Sequence, residues 1–267
     1  MINLERTSEN RDYSDNSFEE KKQEFFIRLG LSVRDAFKMH KKADLWGEGE
    51  EDWRRVSRHC LVESARVNVL SDLFKLPEDL KKDLISAAAI HDFYKKKEMD
   101  KAKEEGLSWK NMKDADKEAE NLLMREGFSE IIIKIVGSVG SVALKDIEEI
   151  LDKKDLSIED IACLIMHYVD DISIEDRWVT PAEVVDGRGK INVLDVRLDR
   201  SDINPKYSLL NEEGKKMFGG KTTYEQHRYI GQLVEKRIAS LLGIEDSKDL
   251  PEIIDKKIKE EILNEKI

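Results

Sequence analysis

The feature that most constrains this chain is an apolar helical run that ends in adjacent histidine and aspartate residues. The run lies in DLISAAAIHDFYKKKEMD, from Asp83 to Asp100. The small and aliphatic residues before His91 and Asp92 predict a helix buried in a core. An imidazole and a carboxylate at the end of such a helix are costly to desolvate unless a partner compensates for the lost water. A divalent cation would pair with both, so the stretch predicts a metal site in a helical core.

The composition favours an all-α fold. Charged residues make up 39% of the 267 residues and only four residues are proline, while glutamate, lysine, leucine and isoleucine dominate the segments. A chain of this length can bury a sizeable core. We expect residues 17–267 to form a single helical domain. Residues 1–16 are polar and aperiodic, which predicts a disordered or loosely attached N-terminal segment.

Charge and cysteine content restrict the partners and the compartment. The formal net charge of −11 opposes binding to duplex nucleic acid, although a local basic cluster could hold a small phosphorylated ligand. Cys60 and Cys163 are too few for a disulfide framework and form no CxxC pair, which predicts reduced thiols. No run approaches the roughly 18 apolar residues of a membrane span, and the N-terminus has no apolar signal core. We therefore expect a cytoplasmic protein without membrane contact.

Two further helices offer partners for the His-Asp pair. The stripe in WRRVSRHCLVESARVNVLSDLF predicts a helix with His59 at its apolar edge and Glu63 one turn later. His59 taken alone would better suit a core histidine hydrogen-bonded to a neighbour. A wide apolar face in IEDIACLIMHYVDDISIEDRW brings Asp170 to the core, with His167 on the same face. Asp171 is rotated by about 100° from Asp170 and is expected to point outward.

The remaining segments are interpreted as structural. His40, in KMHKKAD, is interpreted as a surface histidine, and His227, in TTYEQHRYIGQLVEKRIASLLG, is expected to be exposed or packed but not a ligand. IIIKIV is interpreted as a helix, because Ser-Glu opens it and helices surround it. The charged stretch from Lys95 to Lys117 suits a mobile connection, a lid over a site or a solvated surface loop. TPAEVVDGRGKINVLDVRLDRSDINPKYS suggests a long excursion with a short hairpin.

The order His59, then His91 and Asp92, then Asp170, on separate apolar helices, resembles the HD-domain superfamily of metal-dependent phosphohydrolases. SAAAIHDFYK is similar to the family's alanine-rich helix, which ends in His-Asp and is often followed by a lysine. EAENLLMREGFSEIIIKIV and MHYVDDISIEDRWVT are similar to its later helices. The resemblance covers about residues 55–240.

This resemblance implies a particular architecture. The fold would be an HD-domain helical bundle, with an HD core at about residues 55–180 and extra helices on its N-terminal and C-terminal sides. The extra C-terminal helices could pair in a homodimer or simply serve the core.

The chain departs from the family at three places. The family often has a histidine where this chain has VGSVG (Val136 to Gly140), so the resemblance does not imply a second metal held by extra histidines. No Gly-Tyr-Pro follows the His-Asp pair, which argues against the subgroup that cleaves cyclic di-GMP. Lys95 and Lys96 stand where guanosine-tetraphosphate hydrolases have Glu-Asp, which weakens that alternative.

The resemblance also implies the chemistry. One divalent metal ion would be held by His59, His91, Asp92 and Asp170, a ligand set suited to Mn, Fe, Co, Ni or Mg and compatible with Zn. Such an ion activates water and polarises a phosphoryl oxygen. Asp92 is expected to bind the metal and also to orient the water. Lys95 is expected to be both catalytic and substrate-binding, because it could neutralise charge that develops on the phosphoryl group.

Three neighbouring residues are further candidates. Arg55 and Arg58, close to His59, could bind the substrate phosphate in the same way as the lysine. Glu63 could orient a ligand imidazole from behind, and a surface salt bridge is an equal alternative for it.

We therefore predict a metal-dependent phosphohydrolase that acts on a nucleotide or another small phosphorylated metabolite. The alternative is a catalytically weak HD-fold module that senses a nucleotide or a metal. A third hypothesis is a helical interaction protein in which His91 and Asp92 form a buried hydrogen-bonded pair. The substitution Asp92→Asn would cost the metal under the first two hypotheses and would be tolerated under the third.

Overall fold

The computed structural model describes residues 16–46, 53–174 and 193–264. Within these ranges the fold is all-α, as the composition predicted, and has no strand. The helices are, in chain order, α1 (Asn16–Ser32), α2 (Arg34–Lys42), α3 (Arg54–Leu73), α4 (Glu78–Ile90), α5 (Lys95–Glu105), α6 (Trp109–Arg125), α7 (Glu130–Val136), α8 (Leu144–Leu151), α9 (Ile158–Ile172), α10 (Val193–Asp202), α11 (Ser208–Met217), α12 (Thr223–Leu242) and α13 (Leu250–Asn264). Short 3-10 turns lie at Ser141–Ala143, Pro205–Tyr207 and Ser247–Asp249. In the parts of the chain described here, none of the helices has the length and apolar character needed to cross a membrane.

Helices α3, α4 and α9 form the centre of the fold. Each of the three packs against the other two. The apolar residues Leu164, Ile165 and Val169 of α9 are fully buried, and burial of one such side chain contributes roughly 1.5–3 kcal/mol. The three central helices are therefore held firmly by their apolar side chains, and they carry the ionisable residues of interest.

Outer helices cover this centre on several sides. α1 and α13 pack against α3, while α10 and α12 pack against each other and against α9. A side-chain hydrogen bond from Asn68 Nδ2 to Glu261 Oε2 (3.1 Å) fixes α13 on α3. One continuous cluster of buried apolar side chains extends from Phe25 in α1 to Ile262 in α13.

Local signals determine where three helices begin. Ser157 Oγ accepts a hydrogen bond from the Asp160 amide and Asp160 Oδ2 accepts one from the Ser157 amide, each at 3.0 Å, at the start of α9. Thr222 and Glu225 form the same reciprocal capping box at the start of α12. Ser129 caps α7, so the interpretation of IIIKIV as a helix is confirmed.

Helix formation extends over two stretches with weak local signals. α1 continues through Gly30 as far as Ser32, because the burial of Phe25 and Leu29 outweighs the cost of about 1 kcal/mol for a helical glycine. The charged stretch 95–117 is not a loop. It forms α5 and the first half of α6, with Gly106 at a φ of 82° between them.

The predicted N-terminal segment and the predicted excursion fall largely outside the described residues. Residues 1–15 and 180–192 are not described, so the predictions for them are untested. From residue 193 onward the excursion is not a hairpin but α10, whose Val193, Leu194 and Leu198 are buried. Their spacing on one helical face explains why this segment packs against α9 and α12.

Candidate metal centre

The predicted ligands His59, His91 and Asp170 lie together where α3, α4 and α9 meet. Asp170 Oδ1 is 3.9 Å from His59 Nε2 and 3.8 Å from His91 Nε2, and Asp92 Oδ2 is 3.8 Å from the same nitrogen of His91. Ligand atoms around an ion at about 2.1 Å are about 3 Å apart when adjacent and about 4.2 Å apart when opposite. The separations fall between these values. His59, His91 and Asp170 therefore fit one divalent ion with small movements, and the group whose ligand atoms all lie within 4.8 Å of one another consists of these three residues and Glu63. Asp92 lies beside His91 but outside that group, so its predicted role as a ligand stays a prediction.

Glu63 belongs to the same cluster. It is fully buried, its Oε1 lies 2.9 Å from His59 Nε2, and its Oε2 lies 3.2 Å from His91 Nδ1. Neither oxygen has a hydrogen-bond partner among the described residues. A buried carboxylate held only by charge is stabilised by any cation that joins the cluster. Glu63 is therefore a candidate ligand as well as an orienting group, and the surface salt bridge considered from the sequence is wrong.

The orientation of His91 suits a metal ligand. Its Nδ1 lies 3.0 Å from the carbonyl oxygen of Ala88, to which it donates a hydrogen bond, and 3.7 Å from Cys60 Sγ. Its Nε2 has no hydrogen-bond partner among the described residues and faces Asp170. Fixing the proton on one ring nitrogen leaves the lone pair of the other available to a metal.

The electrostatics of the cluster favour positive charge. Burial alone would lower the pKa of His59, but Glu63 and the other carboxylates outweigh it and raise that pKa to about 9. The pKa of His91 is also raised, again against burial and chiefly by Glu63. Burial opposes ionisation of Asp170 as well, yet Arg197 and the two imidazoles lower its pKa. In the metal-free protein, protons occupy positions that suit a divalent cation.

Arg197 is a member of the site that the sequence did not predict. Its Nη2 lies 3.1 Å from Asp170 Oδ1, and it reaches the cluster from α10. The buried residues of α10 follow a helical period that could have predicted the helix. No local pattern, however, connects Arg197 with a carboxylate 27 residues earlier.

A cavity opens beside the cluster. Its volume is about 670 Å³, and its lining includes His91, Asp92 and Lys95 together with side chains from α6, α7 and α8. Lys95 Nζ lies 3.2 Å from Glu98 Oε2 and 3.9 Å from Asp92 Oδ1. Glu98, and after it Asp92, raise the pKa of Lys95 against the effect of burial. A charged ammonium group therefore stands at the edge of the candidate ligands.

Asp92 and the two candidate arginines differ in position. Burial opposes ionisation of Asp92, but Lys95 and the imidazoles lower its pKa, so it is a carboxylate beside the cavity. Arg55 and Arg58 are exposed on the first turns of α3 and are not among the side chains that line the cavity. Their predicted part in substrate binding stays a prediction.

His40 supports the site from behind, and its interpretation as a surface histidine is wrong. It is fully buried, and its Nε2 donates to the carbonyl oxygen of Ala89 at 2.7 Å, close to the end of α4. Ser57 Oγ lies 2.8 Å from its Nδ1 and accepts from Trp46 Nε1 at 2.8 Å. The last carbonyl groups of a helix lack partners within it. His40 provides a hydrogen-bond partner for one of these carbonyl groups, that of Ala89, just before His91.

A second group of buried ionisable residues contains Asp171 and His167, which the sequence placed elsewhere, and His227, which is packed, one of the two predicted alternatives. Asp171 is fully buried, not outward, and His227 lies 2.8 Å from its Oδ1 through Nε2. His167 pairs with Asp171, at 3.6 Å, rather than with Asp170. Burial is the main cause of the lowered pKa of His167. The predictions failed because α10 and α12 cover the face of α9 that was expected to meet water.

No protein-family model, curated protein or solved structure matches this chain. The part of the family resemblance that the structure supports is the buried cluster of histidines and carboxylates, which could hold a metal ion and is compatible with an HD-type site.

Proposed function

We propose that this chain is a metal-dependent phosphohydrolase that cleaves a phosphate ester of a nucleotide or another small phosphorylated metabolite. The observation that carries the proposal is the position of the ligand cluster at the wall of a cavity. His91 belongs to both, and Asp92 and Lys95 line the cavity beside it. A metal site buried without access would suit a structural role, whereas this one has room for a substrate.

Each residue of the site would have its own chemical role. A divalent ion held by His59, His91, Asp92 and Asp170 would supply a Lewis acid that activates water and polarises a phosphoryl oxygen. Asp92, at the cavity edge, would accept a hydrogen bond from the attacking water and orient it. Lys95 is held charged next to that position and would neutralise the negative charge that grows on the phosphoryl group.

The cavity lining combines charged and apolar side chains. Five lysines (Lys95, Lys113, Lys117, Lys134 and Lys145) and five acidic residues (Asp92, Glu98, Asp116, Glu120 and Asp146) line it, together with the apolar residues Met112, Leu123, Ile133 and Val139. Binding of an anion would therefore depend on Lys95 and the metal ion, not on the charge of the lining as a whole. A phosphate near Lys95 would leave an attached organic group against the apolar wall. The volume is in the range of typical small-molecule sites, about 300–1,000 Å³, which supports a metabolite rather than a macromolecule.

The test is phosphate release from a panel of nucleoside monophosphates and triphosphates and an aryl phosphate, with Mn, Co, Ni, Mg and Zn in turn. Wild type is compared with Asp92→Asn and Lys95→Ala. Loss of the group that orients water or of the charge at the phosphoryl group lowers such rates by roughly 100-fold or more. Asp100→Asn and Lys97→Ala are matched controls, because both residues are exposed on α5 and should leave the rate unchanged.

Each outcome has a definite meaning. Metal-dependent release that falls in the two site variants, and not in the two controls, supports the hydrolase. Loss of one bound metal equivalent in Asp92→Asn, without phosphate release from any substrate in the panel, would favour the sensor alternative. The same number of bound equivalents in wild type and Asp92→Asn would favour the interaction protein.

A further inference from the structure

Another cluster of ionisable side chains lies in the core, on a different face of α9 from the candidate metal centre. His167 and Asp171 come from adjacent turns of α9, and His227 comes from the second turn of α12. Their exposed fractions are 0%, 0% and 4%. None of the three takes part in the proposed hydrolysis. The burial of these three ionisable groups needs a separate explanation, because the proposed reaction does not use them.

The donor atoms converge on one point. His227 Nε2 lies 2.8 Å from Asp171 Oδ1, and His167 Nε2 lies 3.6 Å from Asp171 Oδ2. Donor atoms of the three residues all lie within 4.8 Å of one another. Two ligands of a tetrahedral ion at about 2.1 Å are about 3.4 Å apart. The spacing therefore fits a single small cation.

The outer nitrogens of both imidazoles are held by the turn that follows α7. His167 Nδ1 donates to the carbonyl oxygen of Ser138 at 2.8 Å, and His227 Nδ1 lies 3.1 Å from Ser141 Oγ. Such contacts on the outer nitrogen are typical of histidines that bind a metal through the inner one. Both Nε2 atoms consequently point at Asp171.

The inner atoms lie at ion-pair distance from one another but form no hydrogen bond. Neither Nε2 atom and neither oxygen of Asp171 has a hydrogen-bond partner among the described residues. Because His167 donates through Nδ1, its neutral ring presents the Nε2 lone pair to a carboxylate. Two acceptors facing each other in a core are unfavourable unless a cation lies between them. Arg197 also attracts Asp171, but its hydrogen bond goes to Asp170.

Gly231 makes room for the carboxylate. A Cβ atom at this position of α12 would lie 2.7 Å from Asp171 Oδ2 and 2.8 Å from Leu194 Cδ1. A glycine inside a helix costs about 1 kcal/mol relative to alanine. The helix bears this cost at a residue where both the Asp171 carboxylate and Leu194 leave no room for a side chain.

We propose that His167, Asp171 and His227 form a second divalent-metal site, for an ion of the zinc class, bound through both Nε2 atoms and the carboxylate. Two imidazoles and one carboxylate are a ligand set that zinc uses, with water as a fourth ligand. The ion joins α9 to α12 and, through the outer nitrogens, to the turn after α7. The inference does not rest on the proposed function, since the two sites share no ligand.

Cobalt(II) is the probe for this site, because it replaces zinc and is coloured and paramagnetic. The protein is stripped with a chelator and titrated with cobalt(II) in the paired variant His59→Gln/His91→Gln, which lacks two ligands of the first centre. We expect one bound equivalent with tetrahedral visible absorption. We also expect two exchangeable, hyperfine-shifted imidazole N–H signals, one from Nδ1 of His167 and one from Nδ1 of His227.

Adding His227→Gln to the paired variant should abolish the bound cobalt equivalent, its visible absorption and the shifted N–H signals. Adding His40→Gln instead, as a matched control at a buried histidine outside both clusters, should retain all three. Absence of bound cobalt in the paired variant would overturn the inference, as would an equivalent that survives His227→Gln. Should His227→Gln fail to fold by circular dichroism, the number of shifted N–H signals in the paired variant decides, and fewer than two overturns it.

Discussion

The buried imidazole of His40 gives the protein a measurable sensitivity to acid. Burial holds its pKa at about 4, below the ordinary 6.5 and against the raising effect of its bond to Ala89. Because the folded pKa is lowered, the unfolded chain takes up this proton first. The stabilisation is therefore complete above about pH 6.5 and is lost as the pH falls through about 4. The difference between the folded and unfolded pKa values of His40 corresponds to about 3 kcal/mol of unfolding free energy, of which about 2 kcal/mol is lost by about pH 5.

The assay is urea unfolding of wild type and His40→Gln at a series of pH values, with a chelator present so that metal binding does not contribute. The glutamine amide can donate to the carbonyl oxygen of Ala89 but does not titrate. Between about pH 7 and about pH 5 the free energy of unfolding of wild type should fall by about 2 kcal/mol relative to the variant.

A control variant isolates the titration from the loss of contacts. Ser57→Ala removes one hydrogen-bond partner of His40 and keeps the imidazole, so it should retain the acid sensitivity of wild type. Parallel stability curves for wild type and His40→Gln over this range would refute the reasoning. They would mean that His40 takes up its proton in the folded protein as readily as in the unfolded chain.

Two further predictions concern the candidate metal centre. Asp170→Asn should weaken manganese binding by roughly 100-fold or more while the far-ultraviolet circular dichroism stays unchanged, because a carboxylate ligand becomes an uncharged amide; unaltered affinity in calorimetry would exclude Asp170 as a ligand. Since the pKa values of His59 and His91 are both raised, metal must displace a proton from each imidazole at neutral pH. Affinity should therefore rise by more than about tenfold, and up to about a hundredfold, per pH unit above about pH 7, and calorimetry in buffers of different ionisation enthalpy should detect the released protons.

Much of the fold and of the central cluster follows from local patterns. Helical periodicity in apolar residues predicts α3, α4 and α9, and the all-α class follows from composition. Each of these helices places an ionisable residue at its buried edge, so the approach of His59, His91 and Asp170 could be expected before any coordinates. Their metal-binding role stays a prediction that the titrations above test.

The failures share one physical cause, which is burial by distant segments. The outward prediction for Asp171 assumed that one face of α9 meets water, but α12 covers that face from about sixty residues further along the chain. His40 stands between lysines in the sequence and is buried because α2 packs against the end of α4. The sequence did not predict Arg197 as a member of the site, because its contact with Asp170 depends on the packing of α10 on α9.

The prediction of a loop for the charged stretch 95–117 was wrong for a different reason. Lysine and glutamate form helices readily, but they leave no apolar stripe to detect. α5 has Met99 as its buried residue, so the periodic signal was too weak to predict it. The helix propensity of these residues predicts α5 better than apolar periodicity does.

The packing of α13 on α3 has a consequence for the order in which the protein can fold. The hydrogen bond between Asn68 and Glu261 joins residues 193 positions apart, so α3 is made long before the helix that covers it. During synthesis, at about 5–20 residues per second, the face of α3 that α13 covers stays exposed to solvent for at least several seconds. α3 can therefore acquire its final packing only after nearly the whole of the described chain has been made.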